Sequence, residues 1–500
     1  MKRLLVLIVV LLLSGVSLHA NLARLASLGL VAGDSDWMIS DAENVLSNPA
    51  LLPHYTGRLG LFELNAVDSS AENVYGTALF RLAEWFHVGF TIGYPVQGAA
   101  DLNLYRTGDP SNAAKIVTQS ASSGGLINNT ILTPTILSPF ASAATVPVGL
   151  DEPVSRQDII IHGALNFDPI RLGLSLGYVG ASTEYSDRFS NVTIVSNNSH
   201  TASSAIVRQY EIKGGAEIFN LFEGFSLAGE MGLMIPVIER ISQTWHPWDS
   251  AYFSKQEISS YGAWGFLIGT TVRWEMSKET KLNLRFLYRH QDYSIKTEDR
   301  LDNNGDNEYM IDPSDRNITD WHIRRYNTWQ AGFSASHTLK FGNDISLNAF
   351  VGTYLKVVYH DIRSLGTRGD NNTATTGDNY VDPYQLEVTE SLVPIIIGGE
   401  AKLNSWLKAR FSAVRNIVDH WSEETTLRNF TAGVNSVITY SEYTREFKRA
   451  PLTQLNIGAT LELSGFTMDW LIKKSWFGKG GALIGEEEAI STQFSITFLM

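Results

Sequence analysis

The chain has 500 residues, a formal net charge of −13 and no cysteine. The negative charge argues against nucleic acid as a partner, and the lack of cysteine excludes disulfides, thiolate metal sites and cysteine nucleophiles. Hydrophobic residues make up 44% of the sequence. A membrane β-barrel shows the same ordinary share, because only alternate residues of its strands face lipid.

The N-terminus predicts export. Lys2 and Arg3 precede an apolar run over 4–13 and a stretch of small residues that ends at Ala20. This is the pattern of a secretory signal peptide, and the run is too short to span a membrane as a helix. We therefore predict a signal peptide over residues 1–20. No later segment is an apolar run of 18 residues, so no transmembrane helix is predicted.

Residues 21–56 form a leader that lacks the alternation of the rest of the chain. It contains Asp41 and the tripeptide Asn48-Pro49-Ala50. Pro49 has a fixed φ and no amide donor, and it biases the residue before it away from the helical conformation. Asn48 can hydrogen-bond nearby backbone groups. The sequence therefore predicts a compact turn, which either belongs to a functional element or only leads the chain into its first strand.

From about residue 57 onwards the chain consists of repeated amphipathic strands. Side chains alternate between the two faces of a strand, so one apolar and one polar face give a period of two residues. For example, Leu282, Leu284 and Phe286 alternate with Asn283 and Arg285. The other clear examples are 172–178, 264–274, 345–357 and 455–461.

Short and long connections alternate between these strands. The short turns lie at 168–170, 220–224, 276–280, 341–343, 404–405 and 464–465. The long loops span roughly 96–156, 184–204, 240–256, 297–324, 362–387 and 421–449. Outer-membrane barrels have short periplasmic turns and longer extracellular loops. A soluble β-sandwich or propeller is the alternative, but it would not explain this asymmetry.

The last ten residues predict a closing strand. Phe494, Ile496, Phe498 and Met500 fall on one face, and polar residues fall on the other. In an outer-membrane barrel the last strand pairs with the first, which removes both edges. We expect the outer-membrane insertion machinery to bind this strand. The predicted fold is all-β, a transmembrane antiparallel β-barrel of about 14 strands (14–16) with an N-terminal plug in its lumen.

The leader resembles the N-terminal plug of the FadL-type long-chain fatty-acid transporter family of outer-membrane barrels. The resemblance rests on Asp41, the tripeptide Asn48-Pro49-Ala50 and the apolar pair that follows it, and it covers about residues 30–66. It implies a plug over 21–56 that folds into the lumen of a 14-strand wall, formed here by residues 57–500. PorV-type barrels share the tripeptide, and they imply a different role as shuttles or attachment proteins for secreted cargo.

Two groups of residues are candidates for substrate binding. In the first long loop, Leu132, Ile136, Leu137 and Phe140 must either pack into the barrel mouth or contact an apolar ligand. The second group consists of arginines on the polar face of a strand, where a guanidinium could receive a carboxylate. Arg285 and Arg289 share that face and lie about 13 Å apart along the strand.

Most other charges of the predicted lumen are expected to pair with one another, as is usual inside barrels. By the alternation, twelve charged residues face inward: Lys213, Arg273, Arg285, Arg289, Lys356, Lys408, Arg410, Glu211, Glu217, Glu230, Glu400 and Glu462.

An acidic segment is a candidate metal site. Asp302, Asn304 and Asp306 alternate around Gly305, as ligands do in calcium loops. The twelfth position is Pro313 instead of glutamate, so the segment is not an EF-hand. The sequence leaves open whether these residues bind a structural Ca²⁺ or form a solvated extracellular loop.

The sequence contains no His-Glu-x-x-His, no Gly-x-Ser-x-Gly and no phosphate-binding loop, so we predict neither an enzyme nor a catalytic residue. We expect passive, plug-gated transport of hydrophobic compounds, such as long-chain fatty acids or hydrocarbons, across the cell outer membrane. The expected partners are membrane lipid, lipopolysaccharide and hydrophobic small molecules, with no cofactor. The alternatives are the secretion shuttle and a surface adhesin that acts through its acidic loops.

Overall fold

A computed structural model describes fifteen stretches of the chain. They are residues 22–30, 35–39, 44–55, 60–67, 74–92, 155–189, 199–245, 253–302, 316–342, 345–370, 384–431, 437–448, 453–463, 466–472 and 491–499. The predicted signal peptide lies outside these stretches. None of the helices within them has the length and apolarity to cross a bilayer.

The N-terminal segment, residues 22–55, carries the helical elements. They are α1 (Leu22–Ser27), the 3₁₀ helix η1 (Asp36–Met38), α2 (Asn44–Ser47) and the 3₁₀ helix η2 (Pro49–His54). Each is at most six residues long, which is too short to be stable alone in water. Their conformation therefore depends on packing against the rest of the protein.

The remaining elements are strands. In chain order they are β1 (Gly60–Val67), β2 (Val74–Arg81), β3 (Phe86–Ile92), β4 (Ser155–Phe167), β5 (Ile170–Phe189), β6 (Ser199–Phe222), β7 (Phe225–Trp245), β8 (Phe253–Ser260), β9 (Trp264–Glu275), β10 (Thr280–Asp292), β11 (Ile295–Asp302), β12 (Arg316–Phe341), β13 (Ile345–Asp370), β14 (Tyr384–Lys402), β15 (Leu407–Thr431), β16 (Val437–Lys448), β17 (Thr453–Leu463), β18 (Phe466–Ile472) and β19 (Ser491–Leu499).

All of these strands belong to one antiparallel sheet in which sequential neighbours pair. β1 pairs with β2 on one side and with β19 on the other, with Leu61 opposite Leu499 and Val67 opposite Gln493. β7 pairs with both β8 and β9, β12 with both β10 and β11, and β15 with both β16 and β17. The 19 described strands thus occupy 16 positions around a ring, within the predicted range but two more than the family resemblance implies.

The outer face of the ring is apolar and the inner face is polar. On β10, Leu284 and Phe286 are exposed, whereas Asn283, Arg285 and Leu287 are buried. The same alternation leaves large apolar side chains exposed on the outside of many strands, among them Ile161, Leu174, Ile212, Leu233, Ile268, Phe333, Val351, Leu355, Ile397, Phe411 and Ile457. A continuous apolar belt of this kind is stable only against lipid, and closed barrels are the β-structures that satisfy their backbone there. The chain is an outer-membrane β-barrel.

Aromatic residues mark both ends of the apolar belt. On the outer face of β9, Trp264 and Trp274 are separated by ten residues. This spacing is about 33 Å along a strand, or about 25 Å perpendicular to the membrane at a tilt of ~40°. Around the rim with the short turns, the exposed aromatic side chains are Trp85, Phe167, Phe222, Trp274, Phe341 and Trp406. Such aromatic girdles lie at the membrane interfaces of outer-membrane barrels.

Several predicted long loops are in fact largely strand. β16 lies entirely within the predicted loop 421–449, and β13 continues to Asp370, beyond the predicted start of a loop at 362. Backbone pairing continues above the membrane, where both faces of a strand contact water. The alternation of apolar and polar residues ends there, but the backbone hydrogen bonds between the strands continue. The sequence pattern therefore predicts strands that are too short. The predicted short turns that lie within the described stretches are confirmed, for example Met276–Glu279 between β9 and β10.

The core of the molecule lies inside the ring, between the N-terminal segment and the wall. One buried apolar cluster joins Val45, Leu51, Leu52 and Tyr55 to Leu79 and Ala164 of the wall. A second joins the segment to the wall on β13 and β14, and its members are Leu25, Leu28, Leu30, Trp37, Met38, Ile39, Phe350, Tyr354 and Ile396. The short helices therefore bury their apolar side chains against the inner face of the strands.

Candidate functional site

The N-terminal segment contacts the inner wall in three sectors. α1 lies against β15, β17, β18 and β19, η1 against β10 and β12, and η2 against β3, β4, β5 and β6. We call these contacts the helix anchor, the central anchor and the tripeptide anchor. Because they are spread around the ring, the segment crosses the lumen between them.

The tripeptide anchor is built on Asn48. Its Oδ1 accepts a hydrogen bond from the amide of Ala50 at 3.0 Å, which caps η2, and its Nδ2 donates to the carbonyl of Gly229 on β7 at 3.0 Å. Pro49 occupies the first turn of η2, where its missing amide donor costs nothing. One side chain thus holds the turn and joins it to the wall.

Two glycines of the wall leave room for the tripeptide. Gly173 of β5 and Gly215 of β6 are paired in register. A Cβ on Gly173 would overlap the backbone of Pro49 and Ala50, and one on Gly215 would overlap Oδ1 of Asn48. The backbone of the segment therefore packs directly on the backbone of the wall, and no larger residue fits at these two positions without displacement.

A charged cluster lies beside the tripeptide anchor. Glu217 is buried and accepts hydrogen bonds from Arg171 at 2.7 Å and from His54 of η2 at 2.7 Å. Arg273 approaches the other carboxylate oxygen at 3.8 Å. Glu217 is thus shared between two guanidinium groups of the wall and one side chain of the N-terminal segment.

The hydrogen bonds from the wall to Met38 in the central anchor are neutral. The carbonyl of Met38 accepts hydrogen bonds from Asn283 at 3.0 Å and Ser334 at 3.2 Å. Here, too, glycines make room, since a Cβ on Gly332 would lie 2.5 Å from the ring of Trp37 and one on Gly352 would overlap the sulfur of Met38.

The helix anchor is charged and deeply buried. Arg24 of α1 binds Glu400 at 3.1 Å, and Glu400 also binds Arg410 at 2.6 Å. Arg410 is fully buried and binds Asp469 at 2.6 Å. A hydrogen bond from Ser412 to the carbonyl of Ser27 joins α1 to β15 at 3.1 Å.

Most of the lumenal charges that were predicted to face inward form pairs. Besides the anchors, Lys213 binds Glu211 at 3.1 Å, Arg285 binds Glu230 at 2.5 Å, and Lys408 binds Glu462. Arg289 is different, because it has no ion pair or hydrogen bond with any part of the chain that the structure describes.

The free guanidinium of Arg289 lines a cavity at the wall, which we call the wall cavity. Three of its lining residues, Leu233, Phe266 and His290, belong to the outward faces of their strands. The other lining residues are Glu211, Lys213, Gly232, Met234, Leu267 and Gln291. Pairing of β7 with β9 ends at Met234 and resumes with β8 at Glu239. The cavity therefore lies where the hydrogen-bonded ladder of the wall is interrupted.

A second, smaller cavity lies on the seam between the N-terminal segment and the wall. Its lining from the segment is Trp37, Asn44, Ser47, Asn48 and Leu51, and its lining from the wall is Ala228, Glu230, Thr271, Arg273 and Arg285. We call it the seam cavity. It is mostly polar, whereas the wall cavity is mostly apolar.

The structure describes only some of the predicted site residues, and it does not bring these together in one site. Arg285 and Arg289 lie on the inner face of β10 as expected, but they line different cavities, and Arg285 is already bound to Glu230. Asp302 ends β11. The other predicted substrate and metal residues lie outside the described stretches, namely Leu132, Ile136, Leu137, Phe140, Asn304 and Asp306, as does Asp41. The calcium site stays a prediction, and the described residues contain no cluster arranged to hold a metal ion.

One polar chain on the inner wall was not foreseen. His162 contacts Ser175 through Nδ1 at 2.7 Å and Thr91 through Nε2 at 3.2 Å, and Thr91 reaches Thr77 at 3.2 Å. His162, Ser175 and Thr91 are buried. Each of these residues lies on the polar face of its strand, so the alternation alone could have placed them together. Their hydrogen bonds join β2, β3, β4 and β5 across the wall.

Comparisons with known proteins give only distant similarities. No protein-family model matches the chain, and no curated protein matches it. Among solved structures, a FadL homologue of Pseudomonas aeruginosa is 9% identical over 97% of this chain and 100% of its own, with a TM-score of 0.31. The toluene transporter TbuX of Ralstonia pickettii is 10% identical over 91% of each chain, with a TM-score of 0.30.

A third structure, the translocator domain of the autotransporter NalP of Neisseria meningitidis, is 11% identical over 67% of this chain and 90% of its own, with a TM-score of 0.24. Similarities at this level do not establish a family or a function. The description of the fold rests on the strand pairing and on the distribution of exposed side chains.

Proposed function

We propose that the protein is a passive transporter that carries hydrophobic molecules across the outer membrane, with the N-terminal segment as its plug. The observation that supports this most is the combination of a lumen crossed by the segment and an apolar cavity in the adjoining wall. A segment anchored in three sectors obstructs an aqueous channel for polar solutes. The lining of the wall cavity is mostly apolar, which suits an apolar ligand.

We further propose that the wall cavity receives the head group of hydrophobic carboxylates, the chemical class of fatty acids, because its volume admits a group of that size and not a whole alkyl chain. Arg289 supplies a guanidinium that is unpaired among the described residues, and Leu233, Met234, Phe266 and Leu267 supply apolar surface. A carboxylate bound there would form a charge-assisted hydrogen bond. A pure hydrocarbon would use only the apolar part of the lining.

An uptake assay with two tracers tests this proposal. Proteoliposomes or cells that carry the protein are supplied with a long-chain carboxylate or with a neutral hydrocarbon of similar length. We expect Arg289→Gln to lower carboxylate uptake about tenfold, since a hydrogen bond to a charged group contributes ~1.5–3 kcal/mol, and to leave hydrocarbon uptake unchanged. Arg325→Gln is the matched control, because Arg325 is half exposed, pairs with Asp292 and does not line the cavity.

Two outcomes would count against the proposal. If the wild-type protein carried neither tracer, the transport function would be wrong, and stable co-purification of secreted proteins would then favour the shuttle. If Arg289→Gln changed both tracers equally, or neither, the role of Arg289 would be wrong.

The gate within this proposal is the tripeptide anchor. The chain has no cysteine. The two cysteines of a double variant Asn48→Cys, Gly215→Cys could therefore form a disulfide only with each other within the chain. The Cγ of Asn48 lies 3.0 Å from the Cβ position of Gly215, which puts the two Cβ atoms at most about 4.5 Å apart, within the range of a disulfide. We expect the oxidised double variant to block uptake and a reductant to restore it. Equal uptake in both states would mean that the tripeptide does not move during transport.

A further inference from the structure

The seam cavity contains hydrogen-bond donors that have no partner among the described residues. Nε of Arg285 and Oγ of Ser47 are both buried and unpaired. Arg285 is 8% exposed and Ser47 is also 8% exposed. A guanidinium nitrogen can only donate. Leaving such a donor buried without an acceptor is costly, so a bound species in this cavity would relieve an existing penalty.

The charges around the cavity favour an acceptor that is negative. Three guanidinium groups of the inner wall, those of Arg171, Arg273 and Arg285, share the two carboxylates of Glu217 and Glu230. Of these five groups, Arg273, Arg285 and Glu230 line the cavity itself. The wall side of the cavity therefore carries an excess of one positive charge.

The size of the cavity limits what it can hold. It has room for about one water-sized species. An alkyl carboxylate does not fit, and a monatomic anion, although somewhat larger than water, is the anion class closest to this size. The remaining polar lining, Asn44, Asn48 and Thr271, supplies further groups that can donate.

We propose that the seam cavity is a binding site for a small inorganic anion of the chloride class, held between Arg285 of the wall and Ser47 of the N-terminal segment. The anion accepts the unpaired donors and balances the excess charge. Because its ligands come from both sides of the seam, it joins the segment to the wall next to the tripeptide anchor. This site does not depend on what the barrel transports.

Bromide is the probe for the first test. The full-length protein is purified and crystallised with bromide as its halide, and anomalous differences are measured at the bromine absorption edge. We expect a single buried peak between Nε of Arg285 and Oγ of Ser47. Water-like density without an anomalous peak at that position would overturn the proposal.

A solution test uses the same protein in detergent. The thermal unfolding midpoint is measured in sodium chloride and in sodium gluconate at equal ionic strength, because gluconate is too large for the cavity. We expect chloride to raise the midpoint, as any ligand bound only to the folded state does. Ser47→Ala should require about tenfold more chloride for the same rise.

Ser27→Ala is the matched control, since the Ser27 hydroxyl belongs to the same segment but bonds the carbonyl of Arg24. It should keep the wild-type response to chloride. Equal responses of wild type and Ser47→Ala, or no response in the wild type, would refute the site.

Discussion

The helix anchor and the tripeptide anchor fix the same segment to the same wall by different physical means. The helix anchor joins Arg24 of α1 to Glu400, whose other partner is the fully buried Arg410 of the wall. At the tripeptide itself, Asn48 makes two neutral hydrogen bonds and the backbone packs closely on Gly173 and Gly215. The charged contact of the tripeptide anchor lies at the other end of η2, where His54 bonds Glu217. Withdrawing Arg24 would break a largely buried ion pair, and breaking such a pair typically costs more than breaking a neutral hydrogen bond. Releasing two neutral hydrogen bonds into a polar lumen costs much less, because water can replace them.

This difference indicates which end of the segment is fixed and which can move. An ion pair holds α1, whereas the tripeptide itself is held by contacts that a small displacement can exchange for water. A plug attached in this way would open next to η2 and remain attached at α1. The variants below test this division, beginning with the change that should cost most.

Replacing Arg410 should have the largest effect on stability. Arg410→Ala would leave Glu400 and Asp469 buried without their shared cation, and such a loss typically costs ~3–5 kcal/mol. We expect a clear drop in the unfolding midpoint, measured by heat-modifiable gel mobility and by urea titration in detergent. The control is Lys340→Ala. Lys340 pairs at 3.3 Å with Glu279 in a short turn and lowers the pKa of that exposed carboxyl. An Arg410→Ala protein as stable as the control would show that these buried charges do not stabilise the part of the wall to which α1 is bound.

Adding a single methyl group to Gly215 should displace the tripeptide. The new Cβ of Gly215→Ala would overlap Oδ1 of Asn48, and relieving such overpacking typically costs ~1–3 kcal/mol. We expect faster uptake of a hydrophobic tracer, because the plug would start partly displaced. Gly229→Ala is a close control, since its Cβ would meet nothing within 4 Å and its carbonyl would still accept from Asn48. Similar uptake in the two variants would mean that the contact between Gly215 and Asn48 has no role in gating.

The sequence was informative where one face of a strand meets lipid. It placed Arg285 and Arg289 on the inner face of β10 and predicted the short turns, because the apolar alternation is strong within the membrane. It could not predict that Arg285 pairs with Glu230 while Arg289 stays free, since this depends on the register between β7, β9 and β10. It also missed β16, where both faces mix polar and apolar residues.

The pattern of β5 also contains a signal for the glycines that contact the tripeptide. Gly173 and Gly177 alternate with leucines on β5, so they lie on the inner face, where a polar side chain would be the usual choice. A glycine at such a position often marks the close approach of another backbone. For Gly173 that backbone is Pro49-Ala50, whereas the sequence alone did not indicate which segment would approach.

Replacing Asn48 should change transport more than stability. Asn48→Ala removes the hydrogen bonds to Ala50 and Gly229, each of which contributes roughly 0.5–1.5 kcal/mol. The wall would still fold, because it does not depend on this side chain. We expect normal membrane levels, normal heat-modifiability and a several-fold change in tracer uptake. A normal uptake rate would mean that the tripeptide has no role in gating and is only the turn that leads into β1.

Replacing Pro49 should have the smallest effect of the four. Pro49→Ala restores an amide donor at the first position of η2, which needs no intrahelical partner there. Its main consequence is a larger conformational entropy of the unfolded chain, which lowers stability by about 0.4–1 kcal/mol. Asn48 keeps both hydrogen bonds in this variant, so the gate stays closed for a larger share of the time than in Asn48→Ala. We therefore expect the uptake change in Pro49→Ala to have the same sign as in Asn48→Ala and to be smaller. A larger change than in Asn48→Ala would mean that the rigid ring of Pro49, and not the side chain of Asn48, holds the tripeptide against Gly173 and Gly215.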